Sequence, residues 1–324
     1  MSYDHNKIAI VIGGSAGVGR AIVDTLLRDG YAVGVVARGT ARLDDLARKT
    51  GVAVATADAG DAAALDAAAS ELVGRLGVPG VWVNCAMATS FSPFMEMSPD
   101  EFERIMRTTF LGQVNGTRAA LRHMSRGRIV NIGSGLAYRS VPLQSAYCAA
   151  KHAINGFTSS VRSELIAADS KVTMSLVQLP AMNTPQFDWA RSRLPMKPQP
   201  APPIYAPQVA ADAVMQAIRT GARELFVGKS VLKLIFGQFL LPDYLDKRLA
   251  DDGISGQLSD QRQPGDRAGN LFEPTAYPSS AEGSFGEAQS DRAVTVDGDV
   301  ARKVAFLGLP ALAFVAGVLL ARRR

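Results

Sequence analysis

Three side chains carry the chemistry open to this sequence. Tyr147 and Lys151 are four residues apart in SAYCAAK, within a stretch of helical character, so they share one helix face. Ser134 lies thirteen residues before Tyr147 and ends the apolar run IVNIGS. A phenol, an ammonium and a hydroxyl held together suit proton transfer to or from an oxygen. Tyrosine ordinarily titrates near pH ~10, too high for an efficient base at neutral pH. A nearby ammonium favours the phenolate. Ser134 would hold the substrate oxygen about 3 Å from the proton donor. A lone Y-x-x-x-K arises by chance in many helices, so the reading depends on its surroundings.

The segment IAIVIGGSAGVGRAI runs from an apolar strand into a helix, with Gly13, Gly17 and Gly19 at the spacing G-x-x-x-G-x-G. A tight turn after a strand needs glycine, and a pyrophosphate needs close backbone approach and the N–H groups of a helix N-terminus. Gly13, Ser15, Gly17, Val18 and Gly19 are therefore candidate cofactor contacts. The second strand ends VGVVARG. A carboxylate there would accept hydrogen bonds from the ribose of NAD(H) and repel a 2′-phosphate. Ala37 and Arg38 stand there instead, and an arginine pairs with that phosphate, which favours NADP(H) over NAD(H). A solvated arginine at a strand end is the plainer alternative for Arg38, and Arg42 is a second candidate phosphate contact.

These motifs together resemble the short-chain dehydrogenase/reductase family over residues 7 to about 228. The turn is similar to T-G-x-x-x-G-x-G, with Ile12 in the threonine position. WVNCAMA is similar to a strand ending N-N-A-G, with Asn84 and Ala86 matching and Cys85 and Met87 departing. Ser134, Tyr147 and Lys151 have the family's spacing, and VQLPAMNTPQF is similar to P-G-x-x-x-T, with Ala181 for glycine. The resemblance implies hydride transfer between a nicotinamide and a carbonyl or alcohol, with Tyr147 as acid/base. Lys151 would tune it and bind the nicotinamide ribose. It also implies cofactor contacts at Asp58, Asn84, Ala86, Pro180 and Thr184. Asn84 would in addition tie strand ends together, and Cys85 reads as a buried small hydrophobe. Where the family often holds a proton-relay water through an asparagine, this chain has Thr109, whose hydroxyl could serve. Asn115 reads as an ordinary helix residue.

The elements that must position these groups alternate. Ile8–Ile12, Ala32–Ala37, Val52–Ala57, Val81–Asn84, Arg128–Ile132, Val172–Leu179 and Glu224–Val227 read as strands. Ala21–Arg28, Ala62–Arg75, Asp100–Met124 and Ala146–Ala168 read as helices between them. This pattern predicts an α/β fold, a doubly wound, Rossmann-like parallel sheet of about seven strands with helices on both faces. At 47% hydrophobic and 20% charged, the chain can bury a sizeable core. A net charge of +5 without basic–aromatic runs gives no sign of a nucleic-acid partner. Two cysteines and three scattered histidines suggest neither disulfides nor a metal site. No secretory signal opens the sequence, which places the catalytic part in the cytoplasm.

Residues 1–252 read as the nucleotide-binding domain. Residues 253–303, rich in Gly, Ser, Asp, Gln and Pro, read as a flexible linker. Residues 304–321, VAFLGLPALAFVAGVLLA, carry no charge and would span about 27 Å as a helix, near the bilayer's hydrocarbon thickness. They read as a membrane tail or, alternatively, a docking helix. A membrane-anchored catalytic domain favours a lipophilic substrate. Phe187, Trp189, Leu194, Met196 and Tyr205 are candidates to line its pocket or to form a structural cover. VLKLIFGQFLLP at 231–242 reads as core first, and as a dimer or lipid contact second. The resemblance implies a homodimer or homotetramer. The rival to an enzyme is a non-catalytic cofactor-binding regulator or scaffold that keeps the fold. A nucleotide-sugar epimerase fits less well, because such enzymes need a larger C-terminal substrate domain.

Overall fold

The structure, a computed structural model, describes residues 6–308 and residue 310. Runs of β-branched and small apolar residues form β1 (Ile8–Ile12), β2 (Ala32–Ala37), β3 (Ala53–Thr56), β4 (Val81–Asn84), β5 (Arg126–Ser134), β6 (Lys171–Leu179) and β7 (Glu224–Val227). A short eighth strand, β8 (Thr295–Asp297), joins them. The sheet order is β8-β7-β6-β5-β4-β1-β2-β3. Every neighbouring pair from β1 to β7 is parallel, and β8 runs antiparallel to β7. The chain builds outward from β1 to β3 and then crosses back to β4 on the other side of β1. The crevice between the carboxyl ends of β1 and β4 is the topological switch point, where open α/β sheets bind ligands.

Alternation along each strand supplies both faces. Ala9 and Val11 of β1 belong to one core layer, with Ile22 and Leu26 of α1 (Gly17–Arg28), Leu43 and Leu46 of α2 (Thr40–Thr50), and a later helix. Ile10 and Ile12 point to the other, with Leu65, Ala69 and Leu72 of α3 (Ala62–Leu76). Asp61 accepts from the N–H groups of Ala63 and Ala64 and so caps α3. A capping box between Ser98 and Glu101 starts α4 (Pro99–Met106).

The single helix predicted over Asp100–Met124 is interrupted by a π turn at Arg107–Leu111, which leads into α5 (Gly112–His123). Such turns often sit at functional sites. Then follow α6 (Ser145–Ala167), the short α7 (Gln186–Trp189), α8 (Pro207–Thr220), which completes the first core layer, α9 (Gly228–Leu240) and α10 (Pro242–Ser255). The run at 231–242 divides by face. Val231 and Ile235 are buried, whereas Phe239, Leu240 and Leu241 are exposed.

Residues 253–303 depart from the linker reading. Leu258–Arg262 pairs with Met196–Pro198, Gln289–Ser290 pairs with Ile204–Tyr205, and Thr295–Asp297 extends the main sheet as β8. A last short helix, α11 (Gly298–Lys303), returns Arg302 to the buried Glu224. The boundary expected at residue 252 falls inside α10. A polar composition rules out an independent core, but this segment needs none. It lies on an existing body and buries one anchor, Leu271, completely. Such a side chain contributes about 2 kcal/mol. The membrane or docking helix expected at 304–321 lies almost wholly outside the described residues. Among the described residues no helix is long and apolar enough to cross a membrane.

Candidate active site

The carboxyl ends of β1, β2, β4, β5 and β6 open into one cavity of about 640 Å³. Its walls include Gly13, Ser15, Gly17, Val18 and Gly19 from the turn after β1 and the start of α1, Arg38 and Asp58 from just past the next two strand ends, and Arg42 from α2. Ala86, Ser134, Tyr147, Lys151, Pro180 and Thr184 line it as well. The sequence candidates therefore converge, with one exception. Asn84 is 1% exposed, and its amide is held in the core. It accepts from Trp82 Nε1 and donates to Thr117 Oγ1 and Asn131 Oδ1, clasping β4, β5 and α5. The cavity wall from this strand begins at Cys85. Asn84 thus ties the strands as expected but is not placed as a cofactor contact. Of the five residues expected in the substrate loop, Phe187 and Trp189 reach the cavity. Leu194 packs under it with Phe91, and Tyr205 belongs to the core beside α8.

Two glycines explain the shape of the first turn. Gly13 has φ +84, and a Cβ there would stand 2.6 Å from the Ala86 backbone. A Cβ at Gly19 would stand 2.1 Å from the Gly13 carbonyl oxygen. The turn therefore closes only with hydrogen in those places. That bare backbone at the start of α1 forms a cradle of the kind a dinucleotide's pyrophosphate can approach.

Ser134 ends β5, and Tyr147 and Lys151 stand one turn apart on α6. Ser134 and Tyr147 line the same cavity wall, with the Ser134 side chain near enough to act on the phenol. Lys151 Nζ lies 5.5 Å from the centre of the Tyr147 ring and donates to the Ile132 carbonyl at 2.7 Å. Burial pushes the Tyr147 phenol above its ordinary range, and the Ser134 side chain pulls it back in part. Burial also brings the Lys151 ammonium down to about 8. Desolvation is thus the largest influence on both groups. Burial holds the Cys85 thiol up at about 12, which keeps it protonated at neutral pH.

The peptide of Ser134 is held from behind. Its N–H donates to Gln178 Oε1 at 2.7 Å, and Gln178 Nε2 donates to Glu224 Oε1 at 2.7 Å. A Cβ on Gly133 would stand 2.1 Å from that Gln178 oxygen, so glycine there lets the amide close on the strand.

The hydroxyl of Thr109 has other partners than the lysine, being engaged by both polar groups of the Ala88 peptide. Asn115 donates to the Ala59 carbonyl. The residue that does meet Lys151 is Gln113, which sequence reasoning missed. Gln113 Nε2 donates at 2.9 Å to the same Ile132 carbonyl, and its Oε1 is buried without a protein partner. No spacing in the sequence marks it, because its partner is a carbonyl on β5 and not on its own helix.

Arg38 and Asp58 reach their expected places but with protein partners. Asp58 is ion-paired with Arg104, a residue the sequence reading passed over. Arg38 donates to the carbonyls of Asn270, Leu271 and Phe272. Burial lowers its pKa first, and the neighbouring Arg104 and Arg42 charges lower it further. Arg42 donates to the Thr275 carbonyl and stacks 4.7 Å from the Trp189 ring.

A model of the short chain dehydrogenase family matches residues 7–193. The chain belongs to that family. Its relatives include an uncharacterised oxidoreductase, YxnA, of Bacillus subtilis (strain 168). That protein is 28% identical over 252 residues, covering 75% of this chain and 71% of the relative. The L-2,3-butanediol dehydrogenase of Corynebacterium glutamicum is 31% identical over 172 residues, 49% of this chain and 66% of that one. The crystal structure of a short-chain dehydrogenase from Streptomyces avermitilis shares the fold, with a TM-score of 0.62 and 24% identity over 78% of this chain and 98% of that one. As a short-chain dehydrogenase the protein is an oxidoreductase acting on CH–OH or C=O groups with a nicotinamide dinucleotide. The glycine cradle and the cavity between the strand ends fit such a group.

Proposed function

We propose that this short-chain dehydrogenase is an NADP(H)-dependent oxidoreductase for a carbonyl or secondary alcohol on a lipophilic substrate. One observation carries the reading: Ser134, Tyr147 and Lys151 meet on the wall of the same cavity as the glycine cradle. The bound nicotinamide supplies or accepts the hydride. Ser134 holds the substrate oxygen beside the Tyr147 hydroxyl. Tyr147 gives its proton to that oxygen in reduction and takes it back in oxidation. Lys151, anchored on the Ile132 carbonyl, holds its charge beside the tyrosine and can bind the nicotinamide ribose.

The choice of NADP(H) rests on Arg38, Arg42 and Arg104 around the end of β2, where no carboxylate takes the place of Ala37 or Arg38. The lipophilic substrate rests on the apolar side of the cavity, lined by Phe91, Val141, Phe187, Leu234, Leu245 and Leu249. We further propose membrane association through residues 304–321. Phe239, Leu240, Leu241, Phe306 and Leu307 are exposed at the foot of that run. Family membership also points to a homodimer or homotetramer.

The test is a titration of the full chain with NADPH and NADH, followed by nicotinamide fluorescence, then a panel of apolar ketones and aldehydes. Tight NADPH binding weakened by Arg38→Ala, with oxidation abolished in Tyr147→Phe, supports the reading. Nucleotide binding with no turnover across the panel would favour a regulator that keeps the fold. Binding of neither nucleotide would sink the proposal.

A further inference from the structure

We propose that residues 269–284 are a strap belonging to the nucleotide site, which holds the phosphate-binding donors in the free protein and must lift to admit the nucleotide. The inference rests on reading the cavity as a nucleotide site. Three of the groups that would meet a phosphate already have a strap oxygen against them. Gly17 N–H, at the start of α1, donates to the Ser280 carbonyl at 2.8 Å. Arg38 donates to the carbonyls of Asn270, Leu271 and Phe272, and Arg42 to that of Thr275. Neutral carbonyls are weaker partners for these donors than a charged phosphate oxygen. A nucleotide can therefore take the donors over, and the strap satisfies them until it does.

The strap is built to let go. Leu271 is its one fully buried anchor, and most of its remaining holds are polar. Ser279 Oγ donates to the Ser15 carbonyl and accepts from Arg20, each at 2.8 Å. Ser284 and Tyr277 bond Asp188, and Tyr277 also meets the Trp189 ring edge-on. Segments held by few apolar contacts open at low free-energy cost. Gly269 marks the bend where the strap meets the body. It has φ +62, and a Cβ there would stand 2.4 Å from the Ala190–Arg191 backbone. Asn270 lines the cavity, and its Oδ1 is buried without a protein partner, which leaves the strap an acceptor for a nucleotide donor.

The strap can be locked without touching the cradle. A Cβ on Gly39 would stand 3.4 Å from Pro274 Cβ, near the roughly 3.8 Å of a disulfide. Gly39 has φ −86, which any residue adopts. The native Cys85 and Cys148 are buried and will not compete. The experiment compares NADPH and NADH association, by stopped-flow nicotinamide fluorescence, in the full chain carrying Gly39→Cys with Pro274→Cys, oxidised and reduced. Oxidation should slow association more than about tenfold, with recovery on reduction, because the competent fraction falls. In a second variant, Ser279→Ala, loss of two hydrogen bonds should raise the association rate about fivefold. Equal rates in the locked and reduced chain, or an unchanged rate in Ser279→Ala, overturn the strap. If the unaltered chain binds neither nucleotide, the nucleotide reading itself fails and the strap proposal fails with it.

Discussion

Thr109 and Ala88 are joined by two hydrogen bonds in opposite senses. The threonine hydroxyl accepts from the Ala88 N–H at 2.9 Å and donates to the Ala88 carbonyl at 2.8 Å. The π turn at Arg107–Leu111 brings the hydroxyl to the loop after β4, and Thr109 is fully buried there. Its role is to pin the loop that forms one cavity wall.

Thr109→Val keeps the shape and strips both partners from a buried peptide. The chain should lose about 2 kcal/mol. A lower urea midpoint with an unchanged slope would show it. A midpoint equal to that of the wild type would mean the loop holds itself.

Gln113 and Lys151 share the Ile132 carbonyl. Gln113→Leu removes one donor from that oxygen and frees the lysine to wander. Turnover of a reducible ketone should fall about tenfold, while the NADPH dissociation constant changes less than about twofold. Equal losses in both would show a general distortion of the site instead.

Lys151 gives a pH signature. Burial takes its pKa from the ordinary 10.5 to about 8 in the folded chain. Below pH 8 the lysine is charged in both states, and its burial cost is constant. Between about pH 8 and 10.5 the folded state has released a proton that the unfolded state keeps, so stability rises with pH. The stability difference between wild type and Lys151→Met should therefore move in favour of the wild type across that window, and stay flat below it. Denaturant titrations at a series of pH values measure this, and a flat difference throughout would mean the ammonium is solvated.

Two glycine-to-alanine changes should have opposite signs. Gly19→Ala drives a methyl into the Gly13 carbonyl and should abolish nucleotide binding, with a stability loss of about 2 kcal/mol or more. Gly74 sits exposed in α3 with nothing within 4 Å of its Cβ position. Gly74→Ala should stabilise the chain by about 0.8 kcal/mol without altering binding. Thermal melts with and without NADPH separate the two.

Much of the fold was legible because local pattern and tertiary demand agree. Ile8–Ile12, Ala32–Ala37, Val81–Asn84 and Glu224–Val227 are strands at the residues where the apolar runs begin and end. Their backbones are buried on both faces, so composition alone marks them. The grouping of Gly13, Gly19, Ser134, Tyr147 and Lys151 around one cavity was legible for the same reason, because spacing and residue type set their places on the strand ends and α6. Gln113 and Arg104 were not, because they work through long-range partners, Ile132 for the one and Asp58 and the Leu271 carbonyl for the other, that helical spacing does not reveal.

The stretch after residue 252 draws the line between the two kinds of information. Its sequence determined that it has no core of its own, and that the α/β body before it carries the cradle and the three polar groups on its strand ends and α6. Whether a polar segment floats or lies on a surface depends on what that surface offers. Here the surface offers the guanidinium groups of Arg38, Arg42 and Arg20, the free N–H of Gly17, a slot for Leu271 and an open sheet edge at β7. Those partners lie some 70 to 260 residues away along the chain. Only the folded body brings them to one side, because hydrogen bonds and apolar slots act over a few ångströms of space and take no account of distance in sequence.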